Sequence, residues 1–418
     1  MKERIREIYT GFNTTFWIAN TLELFERLAF YGAKAVLAVF LATKVGLTRE
    51  AGTLTGLFSG VIFTLPIVSG VLVDRYGFRR TLMVCFAIFS IGYFLVGMAG
   101  LEFGEQLMQL VGRRMYVITV LLITAIGGSL IKPCIVGTVA GTSAPSAKAL
   151  GFSIYYTLVN LGGAIGPVVA YEVRKNLGIE YVLIMSSITS FLLLAGTYFF
   201  FDEPMVKTDE EEKRTLVKIF RDMLLVFSNF RFILFLLIFS GFWIMFWQIY
   251  YSFPFYVTDV LRYPNFEIME TIDAWCIIFL TVPVTALVKN WKPINAMCLG
   301  FVIASLSWIV IGIGGTITAS VIGMALFALG ESIQAPRFYE YVSALAPKDR
   351  VGTFMGFAFL PIAIGSFTAG PVSDWLRTSY METNPGMMWF IVSGFGIAST
   401  ILMIIYNMFL TKNTEYGN

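Results

Sequence analysis

The chain has 418 residues, 57% of them hydrophobic and 14% charged, with 39 Phe, 38 Gly and a formal net charge of +3. Soluble domains carry about 25% charged residues, so this composition excludes an ordinary soluble enzyme; a dozen spans of about 20 residues would use most of the length and leave little for a soluble catalytic domain. Histidine is absent, and Cys85, Cys134, Cys276 and Cys298 stand singly in apolar segments, which argues against metal sites, His proton relays and a disulfide framework and leaves carboxylates to carry protons.

The start, MKERIREIYTGF, is charged, but no small-residue cleavage site follows it, so a cleaved signal peptide is not expected. The first span, 12–42, contains ELFERLAFYGAK at 23–34. At about 100° per residue, Glu23, Glu26, Arg27, Tyr31 and Lys34 share one helix face about 140° wide. Ionisable groups at membrane depth are costly unless they are paired or face water. The face is therefore expected to line a polar cavity, which implies a transport protein.

Further spans are predicted at 52–73, 79–100, 114–140, 149–173 and 180–201 in the first half. Spans two and three are joined by GVLVDRYGFRR, at 70–80. Gly70 and Gly77 permit close approach and a tight turn, and Asp74 can pair with Arg75 or Arg79. A positive-inside loop with incidental glycines is the plainer alternative. Span four carries GGSLIKPCIVG, with Lys132 before Pro133, and span five carries GFSIYYTLVNLGGAIGP, with Tyr155, Tyr156 and Asn160.

Residues 202–228 form the one long polar segment. Thr208 with Glu211 resembles a capping box, and Leu216, Ile219, Phe220 and Met223 recur at helical spacing, so an amphipathic connector helix is expected there. The second half is read as spans 230–258, 268–288, 293–313, 316–346, 350–376 and 386–411. Its tenth span contains ALGESIQAP, with Glu331 near the middle, followed by Arg337 and Glu340 at a spacing that favours a local pair.

Most of the 30 Lys and Arg fall in the tails and in loops on the same side as both termini, which predicts cytoplasmic termini and an even number of spans in the cell (inner) membrane. The halves also repeat. Pro145 in SAPSAKALGF is answered by Pro347 in LAPKDRVGTF, and Gly166–Pro167 by Gly370–Pro371, at nearly constant separation. Matching punctuation of this kind marks two duplicated six-helix units. The fold class expected is an all-α membrane protein of two six-helix bundles, at 1–201 and 229–418, joined by the 202–228 connector.

The 70–80 loop resembles the signature of the major facilitator superfamily. ELFERLAFYGAK, GGSLIKPCIVG, GFSIYYTLVNLGGAIGP and ALGESIQAP together resemble the proton-dependent oligopeptide transporter family, in order, over both halves. The resemblance implies that Glu23, Glu26, Arg27 and Glu331 couple protons to gate movement. Lys132 would pair with Glu331 between the halves. Tyr31, Lys34, Lys132, Tyr156 and Asn160 would meet the substrate, and Gly70, Asp74, Arg75, Gly77 and Arg79 would act in gating. Three alternatives stay open: Glu26 and Arg27 as a static tie, Lys132 as a partner of Glu331 alone, and Asn160 as a helix bridge.

The departures from the family pattern fall on the substrate side. The aromatic pair is Phe30–Tyr31, and Phe63 stands where a Tyr is common. Span seven reads Phe246, Trp247, Gln248, without the usual Glu that answers a basic residue at the Lys34 position. Asp273 is the candidate replacement; an exposed acid beside Glu267 and Glu270 is the alternative. Trp247 and Gln248 join the substrate-binding candidates. The aromatic run from Trp243 to Tyr256 suggests a tight, apolar pocket, or in part simple lipid packing.

The expected function is proton-coupled symport of short peptides or similar small carboxylate-bearing solutes by alternating access. The alternative is a major facilitator transporter of another metabolite or drug, with efflux or without protons. A non-transporting receptor is disfavoured by the gate loop and paired charges. No catalytic residue, cofactor, metal or nucleic-acid partner is expected, and the protein is read as a monomer in the bilayer.

Overall fold

The computed structural model describes residues 11–204, 221, 224–346 and 351–410. The described residues are almost wholly helical: α1 (Thr14–Thr43), α2 (Ala51–Thr64), α3 (Pro66–Tyr76), α4 (Phe78–Met98), α5 (Glu102–Val111), α6 (Arg113–Gly128), α7 (Ile131–Thr142), α8 (Lys148–Asn176), α9 (Ile179–Phe200), α10 (Phe230–Tyr251), α11 (Phe266–Val288), α12 (Pro293–Gly314), α13 (Ile317–Leu345), α14 (Val351–Phe357), α15 (Leu360–Tyr380) and α16 (Pro385–Leu410). Among these residues, eleven helical stretches are long and apolar enough to cross a membrane. The 30-residue α1 is long enough as well, although it carries Glu23, Glu26, Arg27 and Lys34. The protein is a multi-pass, all-α membrane protein.

Four of the expected spans are interrupted, the eleventh at Ala358–Phe359 between α14 and α15. Span two breaks at Leu65, immediately before Pro66. Span four breaks at Ser129–Leu130, one turn before Pro133. Proline lacks the backbone donor and clashes with the preceding turn, so a helix resets at or just before it. Span seven ends earlier than expected, at Tyr251, and continues as a short turn, Phe253–Phe255, and a π-helical turn, Tyr256–Val260. The short α5 was not anticipated from the sequence. The expected connector helix at 202–228 falls mostly outside the described residues.

The chain divides into two compact units, residues 1–46 with 64–219, and residues 47–63 with 220–418. Each has its own helix pairing, and the pairings correspond. In the first unit α1 packs on α8 and α9, α4 on α9, and α6 on α4. In the second, α10 packs on α15 and α16, α12 on α16, and α13 on α12 and α11. The same relations recur between spans at equivalent positions, which is the packing counterpart of the sequence repeat. Residues 47–63 are the exception, since the first half of span two belongs to the second unit.

The repeated Gly–Pro positions are close-approach points. A Cβ at Gly166 would lie 2.6 Å from the Leu28 carbonyl oxygen of α1. One at Gly370 would lie 2.6 Å from the Gly52 carbonyl oxygen of α2. Both contacts are with backbone, which cannot step aside as a flexible side chain can. The Asp374 carboxylate then caps α2: its oxygens accept from the Gly52 and Thr53 amides at 2.8 Å and from the Thr53 hydroxyl at 2.7 Å. The cap satisfies donors that the helix start leaves without partners.

Gly370→Leu is expected to destabilise the protein by about 1–3 kcal/mol through forced separation of α2 and α15. Thermal unfolding of the purified protein should show a lowered midpoint. Gly394→Ala, at a site with open space around the added carbon, should leave the midpoint unchanged.

Candidate functional site

The polar face of α1 is buried: Glu23 is 0%, Glu26 2% and Arg27 4% exposed. Helical spacing brings Glu23 and Arg27 together one turn apart, with Arg27 Nε 3.6 Å from Glu23 Oε1. Arg27 also donates to its neighbour Glu26. The guanidinium lies 4.6 Å from the centre of the Phe30 ring. A bare α-carbon opposite is required: a Cβ at Gly162 of α8 would stand 2.6 Å from Arg27 Cβ.

A second helix pair completes the cluster. Lys132, at the start of α7, reaches Glu23 Oε1 at 3.3 Å and donates to the Tyr155 hydroxyl at 2.8 Å. Tyr155 Oη in turn lies 3.3 Å from the same Glu23 oxygen. The break of span four at Ser129–Leu130 sets Lys132 on this face. Two carboxylates and two cations therefore balance within one buried knot. Glu23 Oε2 and Glu26 Oε1 are buried without a hydrogen-bond partner among the described residues. Each is a place where a proton can be added without breaking an existing hydrogen bond.

Lys34 is 3% exposed, with its ammonium 5.3 Å from the centre of the Tyr31 ring. On α8, the Asn160 amide donates to the Tyr156 carbonyl of its own helix at 2.8 Å, and Tyr156 is half exposed. The sequence reading chose Tyr156 as the substrate contact. Tyr155, 9% exposed, is the tyrosine that joins the charged knot.

In the 70–80 loop, Gly77 adopts φ +83°, a left-handed conformation that suits glycine. The turn is held by a residue the sequence reading missed. Glu203, after α9, accepts from the backbone amides of Phe78 at 2.6 Å and Arg79 at 2.9 Å. An acid placed directly before Pro204, where span six must stop, was the available signal. The Arg79 guanidinium donates to the Tyr198 carbonyl, and Arg75 lies over the Tyr76 ring at 5.3 Å. A Cβ at Gly70 would meet open space, so close approach is not what this glycine provides here. The expected pairing of Asp74 concerns a side chain outside the described residues.

In the second unit, Trp247 and Gln248 are fully buried. Trp247 Nε1 donates to the Ile362 carbonyl at 3.0 Å, and Gln248 Nε2 donates to the Ala369 carbonyl at 3.2 Å. Gln248 also accepts from the Ser252 hydroxyl at 2.5 Å. In this conformation both side chains tie α10 to α15. Asp273 is 5% exposed and Glu270 2%, unlike the exposed acids considered as the alternative. Glu331 sits near mid-helix on α13 and is half-buried. Arg337 and Glu340 form the expected local pair at 2.5 Å. Arg337 also donates to the Lys289 carbonyl at 3.2 Å and to the Trp291 carbonyl, so it clasps the loop after α11.

The family model of the Major Facilitator Superfamily matches residues 21–370. The chain belongs to the Major Facilitator Superfamily. Among its relatives, the dipeptide and tripeptide permease B of Salmonella typhimurium is 26% identical over 215 residues, half of this chain and 41% of the permease. The same-named permease of Photorhabdus asymbiotica is 28% identical over 174 residues, 39% of this chain and 33% of the permease. The matched region is thus less than half the length of these relatives.

Similar solved structures include an auto-inhibited POT family peptide transporter, with TM-score 0.79, 17% identity and coverage of 97% of this chain and 99% of that one. A POT family transporter in complex with 5-aminolevulinic acid gives 0.77, 16%, 95% and 96%. At these identities the structures show the fold. The superfamily reading is borne out by the family model, and the peptide permeases among the relatives are in line with the resemblance to the oligopeptide transporter branch read from four motifs.

The Glu23–Lys132 contact predicts non-additive substitutions. Lys132→Met leaves Glu23 with weaker compensation and is expected to cost about 3–5 kcal/mol. Glu23→Gln, Lys132→Met should be less destabilised than the sum of the two single variants. A double-mutant cycle in thermal stability measures the difference, and strict additivity would show that the contact carries no energy.

Proposed function

We propose that this protein is a proton-coupled symporter of short peptides or closely similar carboxylate-bearing solutes. The observation that carries the proposal is the buried, charge-balanced knot of Glu23, Glu26, Arg27 and Lys132, with its two unpartnered carboxylate oxygens. The peptide permeases among its relatives support the substrate class.

Protonation of either carboxylate removes one negative charge from a knot held by attraction between opposite charges in a dry environment, where such attraction is strong. Arg27 or Lys132 is then left with less compensation and is favoured to move towards another anion. A substrate carboxylate is such an anion, and Lys34 and Lys132 are the cations proposed to meet it. Tyr31, Tyr156 and Asn160 are proposed to contact the remaining substrate groups, with Trp247 and Gln248 as further candidates. Lys34 is proposed to be answered by Asp273 in place of the missing Glu of span seven, and Glu331 to accept Lys132 in another conformation. Gly70, Asp74, Arg75, Gly77 and Arg79 are proposed to act as the gate loop, with Glu203 holding its turn. The protein is proposed to lie in the inner membrane with both termini cytoplasmic, an orientation that the loop charges support.

Two experiments test this reading. In liposomes with a trapped pH dye and an inside-negative potential, di- and tripeptides should drive acidification in the wild type. Glu26→Gln should abolish acidification while retaining exchange of labelled peptide across the membrane. Peptide-independent acidification, or silence from a folded protein over a full peptide panel, would refute the function. Separately, Lys34→Ala and Asp273→Ala should be non-additive in uptake rate; additive losses would remove the pairing from the account.

A further inference from the structure

The second unit contains a cavity of about 1100 Å³ that belongs to none of the sites above. It is bounded by Arg49 before α2, by Asp259 and Arg262 after α10, and by Arg377 and Glu382 at the end of α15. These segments lie at the end of the unit that the loop charges assign to the outside. Three guanidiniums and two carboxylates around one space give it both signs of charge with a cationic excess.

Arg377 is the built element. Its side chain is 10% exposed, and its guanidinium carbon lies 3.3 Å from the centre of the Phe255 ring. An aromatic face holds a guanidinium in a fixed plane while leaving its edge donors available. The nearest acid, Asp374, stands 3.7 Å from Arg377 Nη1, beyond hydrogen-bond range. Both Asp374 oxygens are already engaged with the start of α2. Nη1 is consequently buried without a hydrogen-bond partner among the described residues. A buried charged donor left in this state favours an acceptor supplied from outside.

Arg262 adds a second, independent sign. It has φ +57°, the sole positive φ of a non-glycine residue among those described, two residues past the end of a π-helical turn. Strained backbone and π turns collect at functional positions because the strain must be offset by something the site gains. Here they deliver a second guanidinium to the cavity edge.

We propose that this cavity is an outer binding subsite for a small zwitterionic solute. The solute's carboxylate would be taken by Arg377 and Arg262, with Arg49 at the rim, and its ammonium would face Asp259 and Glu382. The inference rests on the transport reading for its role, as a capture site before the main one. The site itself stands on the geometry alone.

The test is calorimetric titration of the full chain in lipid nanodiscs with dialanine and with alanyl-alaninamide, which lacks the carboxylate. It is run on the wild type and on Lys34→Ala, which disables the proposed main site. Dialanine should still bind Lys34→Ala, and the amide should not. Arg262→Gln added to Lys34→Ala should weaken binding about ten-fold, equivalent to about 1.4 kcal/mol. Arg377→Gln should do so at least as strongly. Because Arg377 is buried and its replacement can unfold the chain, the exposed Arg49→Gln and Arg262→Gln variants carry the test on their own. Arginine-dependent binding in a protein that transports nothing would uphold the subsite while the transport reading fails. No binding to Lys34→Ala, binding indifferent to all three arginines, or displacement of dialanine by equimolar acetate would overturn the proposal.

Discussion

Charge buried in the middle of a membrane helix is the constraint on which the rest of the structure depends. Glu23, Glu26 and Arg27 lie within two turns of α1, each at most 4% exposed. One carboxylate and one guanidinium would make a closed pair, but the second carboxylate requires another cation. Lys132 supplies it from α7, and the break before Pro133 turns that lysine inward. The tight seating of α8 on α1, through Gly162 and Gly166, follows from the same need to exclude lipid and keep the knot dry. In that environment a single proton shifts the balance more than it would at a surface, because the low local dielectric amplifies each charge.

The duplicated architecture shows how one scaffold is specialised twice. Helix pairings correspond between the units, yet the buried charges that knot α1, α7 and α8 in the first unit are not mirrored in the second. At the equivalent face, α10 presents Trp247, Gln248 and Tyr251, which hydrogen-bond to α15 and to Ser366. Behind it, Trp308 and Trp389 stack with ring centres 4.8 Å apart. An aromatic interior of this kind resists deformation, because many rings would have to repack together. The proposed proton site thus lies on the first helix of the first unit, while the corresponding helix of the second unit carries packed aromatics, an asymmetry that would suit alternating access.

How much of this was legible beforehand depended on periodicity. The α1 polar face was readable because five polar positions fell on one helical stripe in an otherwise apolar run. The superfamily was readable from the loop around Gly77 and from the Gly–Pro repeat. Tyr155 could not be separated from Tyr156, because neighbouring residues differ by about 100° and the rotation of α8 is set by packing rather than local sequence. Asp374 was hidden for a different reason. Its partners are backbone amides of residues 52 and 53, remote in the chain, and the only clue was a break in the repeat, where the first half has Ala170. The turn after α10 was unreadable because a π-helical turn leaves no periodic mark over five residues.

The central claim is that the carboxylates of the α1 knot take up the coupled proton. It is tested most directly by infrared difference spectroscopy of the protein in lipid, following the carbonyl stretch of protonated carboxyl groups as pH is lowered. The account predicts a titrating band in the wild type that is lost in Glu23→Gln, Glu26→Gln and that shifts when dialanine is added. A band that persists unchanged in the double variant would place the proton elsewhere and contradict the account.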